Sequence, residues 1–168
     1  MKAIIHATDY SENSVAALKY AYSLSKKMDA SLLVIHVFDY PTTLDTEVKE
    51  PVPQFEKNAF KKHNARLKEF CTKHLGNGLD KMDVRIEAIE DKSVVNGIIS
   101  KAKELNAFML VTGMKGGSAF KEFIMGNTTR HLIEKSSCPV LSIPADVSHR
   151  QIETIVYATD YEKDDIKE

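Results

Sequence analysis

AIIHATDYSENSVAALKYAYSLSKKMDASLLVIHVF, residues 3–38, holds two apolar runs joined by a stretch of helical spacing, and that order decides the fold. Residues 3–8 (Ala-Ile-Ile-His-Ala-Thr) are β-prone and stop at Asp9. From Ser11 onward, Ala17, Leu18, Ala21, Leu24 and Met28 recur at intervals that place them on one helical face. Ser11 is the expected N-cap, because its hydroxyl can accept from the unpaired N–H groups of a first turn, and Asp29 is the expected end. Residues 31–38 are almost continuously apolar, as in a parallel strand covered on both faces. A strand, a helix and a strand in that order form a crossover unit.

The alternation continues outward from this unit. Residues 39–54 carry three prolines and mixed charges and read as a surface loop. A helix from Phe55 places Phe60, Leu67, Cys71 and Leu75 on one stripe and stops at Gly76-Asn77-Gly78. A third strand is expected at 82–89. The next helix, 92–105, turns Val94, Val95, Ile98, Ala102 and Leu105 inward, and a buried strand at 107–112 runs into Gly113. After a glycine-bearing loop at 113–126, residues 127–136 read as a helix with Leu132 and Ile133 inward, and Pro139–Ile143 as a fifth strand. Such crossovers are right-handed, so the expected fold is α/β: a doubly wound, five-stranded parallel sheet with helices on both faces, Rossmann-like in architecture.

The 168 residues suit one domain, and 43% hydrophobic with 28% charged residues predicts a packed core. With a net charge of -1, the lysines of 57–73 are balanced elsewhere, which argues against nucleic acid as a partner. No apolar run reaches the roughly 20 residues of a membrane span, and MKAIIHATDY is too polar for a signal peptide, so a cytoplasmic protein is expected. Cys71 and Cys138 lack any CxxC spacing and read as reduced, small core residues. The six histidines show no metal-binding pattern, and His6 and His36 read as hydrogen-bonded core groups.

Residues 155–161 copy residues 4–10 with five identities in seven, at a constant offset of 151. This divides the chain into a domain at 1–146 and, at 147–168, a linker with the start of a second, incomplete repeat. The 154–160 strand is then expected to pair with a neighbouring chain or a second domain.

In a doubly wound sheet, ligands bind beyond the carboxyl ends of the strands where the strand order reverses. Two loops meet that description: Thr8-Asp9-Tyr10, and Gly113-Met114-Lys115-Gly116-Gly117 with Gly126-Asn127-Thr128 opening the next helix. Glycines admit a ligand close to the backbone, and free N–H groups at a helix start favour anions, so the pattern predicts a phosphate cradle. It is neither GxxxxGK[ST] nor GxGxxG. Lys115 is placed to reach a phosphate, while Phe120, Phe123 and Ile124 read as packing residues.

At these positions the chain resembles the universal stress protein family, whose nucleotide-binding members carry glycine, two residues, glycine, nine residues, then glycine and serine or threonine. Gly113, Gly116 and Gly126 have this spacing, with the Ala-Thr-Asp-Tyr-Ser opening, the Ile-His-Val end of strand two and the Cys-Pro-Val-Leu-Ser-Ile close. The resemblance covers about residues 1–144 and implies an adenine nucleotide α-hydrolase-like fold. It implies ATP, with or without Mg²⁺, as ligand. Ala7, Asp9 and the Val37 backbone would hold the adenine and ribose end, and Gly113, Met114, Gly116, Gly126, Asn127 and Thr128 the ribose and phosphates. Asn127 departs from the pattern by replacing a hydroxyl with an amide. The resemblance also implies a homodimer, or pairing with a second domain, through Pro139–Ile143. The function expected is a stress-response regulatory module that binds ATP and catalyses no fast chemistry. The alternatives are a dimerisation module that binds no nucleotide and, less favoured, a slow ATPase using Asp9 and Asp39 toward Mg²⁺.

Overall fold

The side chains of each strand alternate between two helical layers, and this alternation builds the core. Ile4, Leu32, Val34 and Val111 meet Ala17, Leu18 and Ala21 of one helix and Leu67, Phe70 and Cys71 of another. Ile5, Leu33, Ile35, Val37 and Leu110 face the other way, onto Ile98, Ala102 and Leu132. The computed structural model describes residues 2–40, 52–76, 84–114, 126–145 and 154–156. In chain order they form β1 (Ala3–Ala7), α1 (Glu12–Lys27), β2 (Ser31–Phe38), α2 (Val52–Leu75), β3 (Val84–Glu90), α3 (Val94–Glu104), β4 (Met109–Gly113), α4 (Asn127–Lys135) and β5 (Val140–Ile143).

The five strands pair in parallel in the order β3-β2-β1-β4-β5. The chain steps from β1 through α1 to β2 and through α2 to β3, then crosses back over α3 to β4. Helices α1 and α2 cover one face and α3 and α4 the other. β1 is the middle strand, with Ile5 registered against Leu33 of β2 and Leu110 of β4.

Two crossovers end their helices with the same device. Asp29 and Asn106 sit at φ 49° and 45°. Asp29 N–H reaches Lys26 O and Ala30 N–H reaches Ser25 O, while Asn106 N–H reaches Lys103 O and Ala107 N–H reaches Ala102 O. This paired bonding, with a left-handed residue just past the helix, satisfies orphan carbonyls and turns the chain toward the next strand. It also explains why the fourth strand starts at Met109 rather than 107: the Ala107 N–H is committed to the helix cap.

Other boundaries and faces differ from expectation. Helix α2 begins at Val52, not Phe55, because Pro53 falls in the first turn, where its missing N–H leaves no bond unmade. Val94 and Ile133 are 47% and 48% exposed rather than inward, and Cys138 is half-buried. Residues 154–156 lie in no strand, with Ile155 and Val156 exposed; the rest of the expected 154–160 strand lies outside the described residues.

Because an aspartate in the left-handed region is strained where glycine is not, Asp29→Gly should raise stability by up to about 1 kcal/mol, read as a shifted denaturation midpoint. Asp29→Val should lower it by a comparable amount or more.

Candidate functional site

The strand order reverses between β1 and β4, and a cleft of about 610 Å³ opens beyond their carboxyl ends. Of the residues expected there, Ala7, Asp9, Val37, Gly113, Gly126, Asn127 and Thr128 line it together. Met114 follows Gly113 with its N–H bonded to Ile143 O and is not part of the lining. Gly116, Lys115, Phe120, Phe123 and Ile124 lie outside the described residues.

One wall of the cleft is the turn from β1 into α1. Asp9 Oδ1 accepts from Ser11 N–H at 3.0 Å and from Ser11 Oγ at 2.6 Å, which fixes the carboxylate. Ser11 Oγ in turn accepts from Ser14 N–H and caps α1. Tyr10, between them, holds φ 67°, a conformation that costs a non-glycine residue energy unless its surroundings enforce it. Its ring is held by His36, Phe70 and the Arg66 guanidinium, at 4.4, 5.3 and 4.2 Å from its centroid.

Below this turn lies a buried polar chain. His6, fully buried, donates from Nδ1 to Val111 O at 3.0 Å, and its Nε2 lies 3.3 Å from Ser14 Oγ. Ser14 and Thr8 hydroxyls bond at 2.6 Å, and Thr8 O accepts from His36 Nδ1 at 2.9 Å. Both histidines are therefore hydrogen-bonded structural groups that tie β1 to β4, α1 and β2. Burial drives the His6 pKa down to about 4, against the opposing pull of the Val111 carbonyl and the Asp9 charge. His6 is neutral at neutral pH, with Nδ1 carrying the proton.

The opposite wall is the start of α4. Ser11 and Ser93 cap α1 and α3 through side-chain oxygens, but Gly126 caps α4 without one. The first amides of α4 therefore open into the cleft with no side-chain acceptor among the described residues, at the positive end of the helix dipole. Thr129, buried, lies 3.4 Å from Thr112 through the two hydroxyl oxygens and fixes α4 to β4. The third wall is apolar: Val94, Ile98 and Leu132 line it, so the exposure of Val94 is exposure to the cleft.

Gly113 has a structural reason of its own. A Cβ there would meet the Asn13 carbonyl group at 2.8 Å and Ser14 N at 3.0 Å, so the first turn of α1 rests on bare backbone. Gly97 plays the same part for α3 over Val37, whose methyl groups would lie 3.0 and 3.2 Å from an added Cβ.

Thr8 of the first expected loop also lines the cleft, together with Ser11, Asn13, Ser14, His36 and Thr112, which the sequence reading did not assign to the site. The strand residues had a usable signal, since they sit at the carboxyl ends of β1, β2 and β4. Those at the start of α1 depend on how closely the helix approaches β4, which no local pattern reports.

Residues 1–144 match the family model of the universal stress protein family. The chain is 29% identical over 155 residues to a Staphylococcus aureus (strain USA300) protein named as a universal stress protein, covering 86% of this chain and 88% of that one. Among solved structures, universal stress protein UspA from Lactobacillus plantarum superposes with a TM-score of 0.63 at 18% identity, over 84% of this chain and 97% of its own. A universal stress protein in complex with cAMP superposes with a TM-score of 0.59 at 19% identity, over 86% and 97%.

Two outcomes test the architecture of the site. Gly113→Ala should cost roughly 1–3 kcal/mol of stability by forcing α1 away from β4. His6 binds its proton less well folded than unfolded, so its contribution is intact above the unfolded pKa of 6.5 and is lost as pH falls toward 4. Urea unfolding at pH 7.5 and 4.5 should show that loss, on the order of 2–3 kcal/mol from this group, and His6→Gln should be weaker at pH 7.5 but flatter with pH.

Proposed function

The chain belongs to the universal stress protein family, and we propose that it binds ATP in the cleft between β1 and β4 and serves as a nucleotide-responsive module of a stress response. The observation that carries this reading is the convergence of an uncapped helix start, a fixed carboxylate and an apolar wall on one cleft. Its size lies within the roughly 300–1,000 Å³ typical of small-molecule sites.

Each wall suits one part of the nucleotide. The amides of Asn127 and Thr128 and the dipole of α4 favour the phosphates, and Asn127 keeps its N–H despite lacking a hydroxyl. Asp9 can accept from ribose hydroxyls while Ser11 holds its Oδ1. Val37, Val94 and Ile98 offer apolar surface for the base. The cAMP carried by one structural relative is an adenine nucleotide of the same chemical class. Among the described residues, no group of three or more His, Cys, Asp or Glu is placed to hold a metal ion, so any Mg²⁺ would arrive on the triphosphate. The buried, neutral His6 fits structural duty better than proton transfer, which favours a binding module over an ATPase.

The family resemblance further supports pairing of two copies along β5, an outer strand of the sheet among the described residues, whose Val140, Leu141 and Ser142 are only half-buried. Light scattering that returned a monomer mass would remove this part.

Calorimetric titration should show ATP binding to the wild type. Asn127→Asp, which sets a negative charge among the phosphates, should weaken ATP by tenfold or more and leave adenosine nearly unchanged. No heat with millimolar ATP would overturn the nucleotide reading. Equal weakening of ATP and adenosine would move the phosphates away from α4.

A further inference from the structure

Helix α2 reaches the cleft through a run of stacked rings. Tyr10 and His36 lie 4.4 Å apart by ring centroid, His36 and His63 5.5 Å apart, and His63 and Phe38 4.0 Å apart with planes within 7°. Phe38 then meets Phe60 of α2 at 5.2 Å, and Arg66 of α2 lies over Tyr10. His63 and Arg66, one helical turn apart, thus clamp two residues that adjoin the nucleotide cleft: His36, which lines it beside Val37, and Tyr10, which follows Asp9.

We propose that this clamp is acid-sensitive: a proton on His63 drives α2 from the rings of His36 and Phe38 and thereby loosens Tyr10 and Asp9 at the cleft.

The electrostatics around His63 support the direction. The groups acting on its charge are His36 from β2 and Lys62 and Arg66 from α2, all basic, and burial adds to them in holding its pKa below the ordinary value. On this face the acidic groups Glu56 of α2 and Glu90 of β3 act on Tyr40. His63 Nδ1 is buried with no hydrogen-bond partner among the described residues, so none of these offers an acceptor to a proton gained there. Helix α2 holds six lysine and arginine residues against two glutamates, and His74, near its end, is likewise held below its ordinary pKa by burial and by Lys73 and Lys19. Every proton added to α2 therefore raises an existing positive excess.

The sign follows directly. The folded His63 prefers to be neutral, so docking of α2 is complete above the unfolded histidine pKa of 6.5 and weakens as pH falls below it. His6 weakens the whole fold over the same range, but it does so through β1 and independently of His63.

Hydrogen exchange at pH 7.5 and 5.5, corrected for intrinsic rates, separates the two. In the wild type, α2 amides should lose protection several-fold relative to β1 amides at the lower pH, tenfold being the ceiling for one histidine with an unfolded pKa of 6.5. His63→Phe, which keeps a ring against Phe38 and cannot take a proton, should remove most of that difference, leaving the smaller His74 share and the His6-dependent loss in place. An NMR titration should give His63 a pKa below 6.5. Equal loss from α2 and β1, or the same acid response in His63→Phe, would overturn the proposal. The effect on ligand rests on the nucleotide reading: ATP affinity should fall between pH 7.5 and 5.5 in the wild type more than in His63→Phe. Failure to bind ATP at pH 7.5 would remove the nucleotide reading alone, because exchange from the free protein decides the clamp by itself.

Discussion

The position of β1 between β2 and β4 is the constraint on which the cleft depends. A parallel strand with neighbours on both sides and helices on both faces must be apolar throughout, and Ile4 and Ile5 are fully buried. His6 breaks that rule, yet it bonds to the Val111 carbonyl of β4 and meets Ser14 of α1. A buried imidazole that donates to a carbonyl on one side and meets a hydroxyl on the other is directional where an isoleucine is not. It registers β1 against β4 and sets α1 at one height, which places Asp9 and Gly113 across from each other.

From that registration the site needs few specialised residues. The turn after β1 is held by Ser11 on Asp9, by Tyr10 in a strained backbone geometry and by Arg66 of α2 over the Tyr10 ring. The strain at Tyr10 is tolerated because two rings and a guanidinium hold its side chain. Helix α2 thereby becomes part of the site without lining it. The connection from the cleft to α2 runs through the rings of Tyr10, His36 and His63.

Most of the fold was legible in the sequence because its signals are local. Residues 31–38 could only be a covered strand, and Ser11 could only cap what followed. The helix ends at Asp29 and Asn106 behave alike because both are short polar residues that tolerate a left-handed backbone. Val94 and Ile133 were misplaced for a physical reason: helical spacing gives the apolar face, but not where the neighbouring element stops covering it. At Val94 the cover ends because the cleft begins. Of the site, the strand-end residues and the start of α4 were readable, whereas Asn13, Ser14 and the ring clamp arise from tertiary approach. Gly116 and Lys115 lie outside the described residues, so the reading of that loop as part of a cradle stands as a proposal.

The three-glycine spacing, the most conspicuous motif in the chain, therefore carries less functional information than it first offers. Gly113 is required by the backbone of Asn13 whether or not a ligand ever enters, so a glycine there is compatible with an unused cleft. Gly126 is different. It starts a helix without the side-chain acceptor that Ser11 and Ser93 provide elsewhere, although serine, threonine, aspartate or asparagine at that position would stabilise the helix by only a few tenths of a kcal/mol over glycine. A helix start that opens on a cleft, with no side-chain acceptor on its first amides among the described residues, offers those amides to an anion. The case for phosphate thus rests on a missing cap more than on the glycine pattern.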